Sequence, residues 1–171
     1  MNTKAVTPHF LKPHGKIPNN PTLPLLVYQQ VFENEADLVR QFKEAFAANN
    51  WRGSWVNGVF DYHHYHSRSH EVLGVVAGAA ILILGGPGAE EVAVKAGDML
   101  VLPAGTGHCL KTASPDFKIV GAYPPGQESY DICTEQDNPE EKEKNIAQVP
   151  VPETDPVAGV GGPLLKHWKR P

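Results

Sequence analysis

The chain reads as an all-β protein, a small antiparallel barrel or sandwich with one helix ahead of it. Three observations predict this. Short apolar runs recur from Trp51 to Tyr123, each closed by glycine or proline. Only the stretch from Asn34 to Ala48 places its apolar residues at helical spacing. Strands and helices do not alternate, as a parallel sheet would require.

Taken in order, residues 1–24 carry Pro8, Pro13, Pro18, Pro21 and Pro24 with Gly15 among them. Such a segment cannot form a helix and is expected to lie extended over the domain. Leu25 to Phe32 is apolar and reads as a peripheral strand. Asn34 is placed to cap a helix, with Asp37 in its first turn, and Leu38, Phe42, Ala45 and Phe46 supply one apolar face. Asn49-Asn50 ends it. Strands are then expected at Trp55–Phe60, Asp61–His66, Val72–Val76, Ala79–Leu84, Glu90–Lys95, Met99–Leu102, His108–Leu110 and Phe117–Tyr123. Gly78, Gly85-Gly86-Pro87-Gly88, Gly97-Asp98 and Pro103-Ala104-Gly105 turn the chain between several of them. The charged stretch Glu135–Lys144 reads as solvated. Leu164, Leu165 and Trp168 are apolar enough to need cover, so the tail is expected to pack on the domain or on a second subunit. The divisions are 1–50 for the lead, strand and helix, 51–124 for the barrel core and 125–171 for the tail, within one domain spanning 1–171.

The bulk composition excludes several classes. With 41% hydrophobic and 20% charged residues, the 171-residue chain can build a core. Its formal charge is -4, and its four arginines, Arg40, Arg52, Arg68 and Arg170, are scattered, so no basic stripe offers itself to nucleic acid. No apolar run reaches the roughly 18 residues of a membrane helix, and Met1–Leu11 does not read as a signal peptide. Cys109 and Cys133 read as free thiols of a cytoplasmic protein. Gly159-Val160-Gly161-Gly162 lacks the spacing of a phosphate loop.

The chemistry concentrates in His63-His64-Tyr65-His66-Ser67-Arg68-Ser69-His70-Glu71 and in His108. On a strand, His64 and His66 point to one face, and Glu71 follows shortly after. That combination is most of a metal site. It also fits a solvated histidine-rich turn, or buried histidines satisfied by hydrogen bonds, and composition does not choose. Tyr62 shares the parity of His64 and His66, which makes it either a hydroxyl donor in the cavity or a packed aromatic. His70 is a pocket residue, an ordinary satisfied histidine or, through a bulge, a substitute for Glu71. His63 and Tyr65 have the outward parity.

Both clusters sit in a frame that resembles the cupin superfamily. The first motif of that family is met by Gly58, His64, His66, Glu71 and Gly78, and the second by Gly97, Pro103, Gly105 and His108, with Thr112 where asparagine is frequent. Ile17-Pro18-Asn19-Asn20-Pro21, Tyr62–Ser67, His70–Val75, Val120–Pro124 and Pro152–Pro156 further resemble a bacterial group of single-domain cupins without settled activity. The resemblance implies a small antiparallel jelly-roll barrel with one flanking N-terminal helix and extended termini. It also implies one divalent metal ion per subunit on His64, His66, Glu71 and His108. The nitrogen and oxygen donors suit Fe, Mn, Ni, Co or Zn alike. The implied function is a metal-dependent enzyme acting on a small organic molecule, with a dioxygenase-like oxidoreductase foremost and Tyr62 or His70 assisting proton transfer. A metal-dependent isomerase or lyase, and a non-catalytic small-molecule-binding cupin, are the alternatives. A homodimer is expected, with the Leu25–Phe32 strand or the tail as its interface, and neither nucleic acid nor membrane as a partner.

Overall fold

The computed structural model describes residues 5–34 and 36–169, so the first four residues of the proline-rich lead lie outside it. Its strands are β1 Ala5–His9, β2 Leu25–Gln29, β3 Arg52–Asn57, β4 Glu71–Ala77, β5 Ala79–Leu84, β6 Glu90–Lys95, β7 Met99–Leu102, β8 His108–Ala113 and β9 Lys118–Tyr123. Its helices are α1 Leu38–Ala48, α2 Pro139–Gln148 and α3 Pro163–His167. A six-stranded sheet runs β1-β2-β7-β4-β9-β3 and a three-stranded sheet runs β6-β5-β8, with antiparallel pairing throughout. The fold is the antiparallel barrel the sequence predicts.

Strand alternation divides the apolar residues between two cores. Leu73 and Val75 of β4, Leu100 and Leu102 of β7 and Ile119 of β9 cluster with Ala80, Leu82 and Leu84 of β5, filling the barrel. Their neighbours Val72, Met99, Val101 and Val120 face the other way, toward Phe42 and Phe46 of α1 and toward Leu164 and Trp168 of the tail. Gly74 lets the helix sit close, since a Cβ there would stand 2.7 Å from the Phe42 ring.

This second core explains where expectation and structure part. Leu25–Gln29 is not peripheral: β1 and β7 flank it, Leu25 and Val27 enter the barrel, and Leu26 and Tyr28 enter the outer core. As an inner strand of the six-stranded sheet it has no free edge, and the tail packs on the barrel through Leu164 and Trp168. Helix α1 starts later than Asn34. Asn34 accepts from the Ala36 N–H at 3.0 Å, one turn earlier, and Asp37 is the cap, at φ 54° with its side chain accepting from the Arg40 N–H. Asp61–His66 is not a strand, because its pairing is limited to single bridges, His64 with His108 and Tyr65 with Cys133. The charged stretch Glu135–Lys144 largely folds into α2, capped by Asn138 and anchored by buried Ile146. The tail therefore contains two short helices rather than being wholly extended. Trp168 closes it on the barrel, donating from Nε1 to the Pro24 carbonyl at 2.8 Å. Both cysteines are buried and unbridged. No helix among the described residues is long and apolar enough to cross a membrane.

Candidate metal centre

Three short backbone links bring the histidines together. His108 opens β8, and its N–H donates to the His64 carbonyl at 2.9 Å while the His64 N–H donates back at 3.2 Å. The Gly105 N–H donates to the His66 carbonyl at 2.8 Å. The rings of His64 and His108 lie 4.0 Å apart, and one nitrogen from each of His64, His66 and His108 falls within 4.8 Å of the others. All three side chains are buried. This cluster could hold a metal ion.

The other ring nitrogen of each histidine is spoken for. His64 Nδ1 lies 3.0 Å from the Tyr62 carbonyl, His66 Nδ1 2.5 Å from the Asp131 carbonyl and His108 Nδ1 2.9 Å from the Thr106 carbonyl. A carbonyl only accepts, so each Nδ1 carries the proton and each Nε2 is left as the ligating position. Burial holds His64 below its ordinary pKa, and burial reinforced by His64 and His66 holds His108 far below. His66 is subject to the same burial, but the Glu71 carboxylate and its hydrogen bond, with the Asp131 carbonyl, carry it upward instead. Glu71 is the first residue of β4, and its Oε2 lies 2.7 Å from His66 Nε2. A carboxylate oxygen therefore stands beside the His66 nitrogen, while the ligand atoms that converge are those of His64, His66 and His108, a set that fits a divalent cation.

The remaining sequence candidates fall elsewhere. His70 is fully buried on the opposite side of the strand start, its Nδ1 accepting from the Ala104 N–H at 2.8 Å and its ring 4.7 Å from that of Trp168. The bulge that would have exchanged it for Glu71 does not occur. Tyr62 is 43% exposed, stacks on Phe60 and is not part of the cavity wall. The parity argument that placed it inside assumed a strand that does not form. Tyr65 is fully buried beside Cys133 and Ile146, under α2.

A cavity of about 240 Å³ opens at the histidines. Its lining is His64, His66, Glu71 and His108 with Trp55, Val56, Asn57, Gly58, Val59, Phe60, Leu73, Ile119, Tyr123 and Tyr130. Trp55 donates from Nε1 to the Tyr123 hydroxyl at 2.8 Å, and burial, then the Glu71 charge, raises the Tyr123 pKa. Gly121 makes room for Trp55, whose indole occupies the place of a side chain there. A larger depression of about 770 Å³ between Gln29, Lys95 and Ser114 lies away from the histidines and contains none of them.

Two supports were not foreseen. Asn19 takes the Gly107 N–H on its Oδ1 at 3.0 Å and donates to the Gly85 carbonyl, while Asn20 donates to the Ala104 carbonyl. Together they clamp the loop that carries His108, and Gly105, at φ 94°, passes so close that a Cβ would stand 2.7 Å from the Asn19 carbonyl oxygen. Asp131 does the same for His66. Its carboxylate accepts from the Ser67 N–H at 2.8 Å, the Ser67 hydroxyl at 2.5 Å and the Cys133 thiol at 3.2 Å, while its carbonyl holds the His66 ring.

Comparison with known proteins agrees with this geometry. The family described as "Cupin domain" matches residues 56–119. An uncharacterized protein of Bacillus subtilis (strain 168), YjlB, is 40% identical over 161 residues, covering 94% of each chain. The chain belongs to the cupin superfamily. Among solved structures this cupin is similar to the acireductone dioxygenase of Bacillus anthracis, at 16% identity and a TM-score of 0.39 over 53% of this chain and 61% of that one. It is also similar to a TDP-quinovose 3,4-ketoisomerase from Campylobacter jejuni, at 17% identity and a TM-score of 0.41 over 55% and 75%. At these scores neither bears on the reaction of this cupin.

Proposed function

We propose that His64, His66, Glu71 and His108 hold one divalent metal ion per chain, and that this cupin is an enzyme acting on a small organic molecule. The convergence of one nitrogen from each of three buried histidines carries this reading. Each Nδ1 is held at a backbone carbonyl, so Nε2 is the ligating position, and at His66 the ion would take the place of the proton now shared with Glu71. A bound ion supplies Lewis acidity toward a substrate oxygen and, if it is iron, redox capacity as well. The foremost reading is a dioxygenase-like oxidoreductase. The second reading is a redox-neutral isomerase or lyase, for which the Tyr123 hydroxyl in the cavity wall is the group placed to move a proton. Phe60 and Tyr130 line the cavity and are half-exposed. The homodimer is likewise a proposal, to be read by sedimentation equilibrium.

Elemental analysis of protein made without an affinity tag and purified under nitrogen tests the centre. About one equivalent of Fe, Mn, Ni, Co or Zn per chain is expected. Iron with oxygen uptake on adding substrate supports the oxygenase, turnover without oxygen supports the isomerase or lyase, and metal without turnover supports a binding protein. No metal, and none taken up on titration, overturns the reading. Asp131→Ala is expected to weaken metal binding by about 10- to 100-fold, since it frees the segment that orients His66. Competition titration against a chelator measures this, and an unchanged affinity would remove Asp131 from the centre.

A further inference from the structure

The mouth of the cavity has a chemical character of its own. The Phe60 ring rests against that of His64 with centroids 5.1 Å apart, and the Tyr130 ring rests against that of His66 at 5.0 Å. Each is backed by a second ring, Phe60 stacking on Tyr62 at 5.0 Å and 17° and Tyr130 on Tyr123 at 4.9 Å and 21°. Phe60 and Tyr130 are nonetheless 46% and 41% exposed. Two braced, half-exposed aromatic rings thus stand in the cavity lining beside two of the three histidines. Among the described residues no lysine or arginine lines the cavity, and the one carboxylate there is Glu71. A divalent ion with one carboxylate has a net charge of +1, so the centre neutralises a single negative charge and nothing else there would hold a phosphate dianion. The volume of about 240 Å³ suits one ring with its substituents, given that about 150 Å³ of apolar cavity suffices for benzene.

Resting on the metal reading, we propose that the ligand is a single-ring aromatic compound. It carries two adjacent oxygen donors and at most one negative charge. The oxygens face His64, His66 and His108, and the ring lies between Phe60 and Tyr130. The rings supply contact at small entropic cost, because both are already stacked.

Benzohydroxamate and acetohydroxamate test this, since both present the same pair of oxygens and only one carries a ring. Calorimetric titration of the zinc-loaded protein should show benzohydroxamate binding at least about tenfold more tightly, the scale of one or two aromatic contacts. Phe60→Ala and Tyr130→Ala should each remove most of that advantage and leave acetohydroxamate within about twofold, while Tyr130→Phe keeps it. Both alanine positions are half-exposed, so the variants are expected to fold. Equal affinity for the two probes, an advantage that survives in both alanine variants, or no binding of either probe overturns the proposal. The same titration on metal-free protein separates the two claims. A ring preference undiminished without zinc upholds the aromatic mouth and sinks the metal centre.

Discussion

His108→Ala yields a folded barrel whose metal affinity is lower by about 100-fold or more, a larger loss than removal of an orienting group produces. His108 is the middle member of the cluster, with ring centroids 4.0 Å from His64 and 5.3 Å from His66, whereas those two stand 5.7 Å apart. Without it the remaining donors no longer converge. The fold survives because the link between His64 and His108 runs through backbone groups that alanine retains. Elemental analysis beside a circular dichroism spectrum measures both halves. Full occupancy in the variant sinks the ligand assignment, and a collapsed spectrum shows that the histidine is part of the core instead.

Asp155→Ala should destabilise the protein by about 3–5 kcal/mol, because it strands several buried donors at once. The Asp155 side chain is fully buried and accepts from the Tyr28 hydroxyl at 2.5 Å, from the Val157 and Ala158 N–H groups at 2.9 Å each and from the Leu164 N–H at 3.0 Å. It ties the tail to β2 across 127 residues of sequence. Tyr28→Phe removes one bond and leaves the ring packed, so about 1–2 kcal/mol is expected there. Urea denaturation of both variants is the measurement. A cost for Asp155→Ala no greater than that for Tyr28→Phe would mean that water replaces the lost carboxylate.

The barrel was legible in the sequence because glycine and proline end its strands, and because β5, β6 and β7 show clear runs between them. The gathering of His64, His66 and His108 was legible from the cupin motifs they fill, where spacing by itself left a solvated or hydrogen-bonded histidine cluster open. What failed, failed where burial is set by a distant segment. Leu25–Gln29 is apolar on both faces because α1 and the tail cover its outer side, and that cover cannot be read from the strand itself. Tyr62 was placed by strand parity on a stretch held only by single bridges. Helix α2 buries Ile146 alone among its residues, too little for an apolar face to announce it. Asp131 acts on His66 from 65 residues away through a main-chain carbonyl, which any residue type could supply. Asn19 and Asn20 stood out as a motif, but their task appears only once the His108 loop is folded against them.

The separation of two cores also gives the protein a built-in optical probe. Of its three tryptophans, Trp51 and Trp168 lie in the outer core, 1% and 3% exposed, whereas Trp55 forms part of the cavity wall. Occupancy of the cavity alters the surroundings of Trp55 and leaves the other two in place. Emission at a single indole, isolated by comparison with Trp55→Phe, can therefore follow metal and ligand arriving in real time without any label.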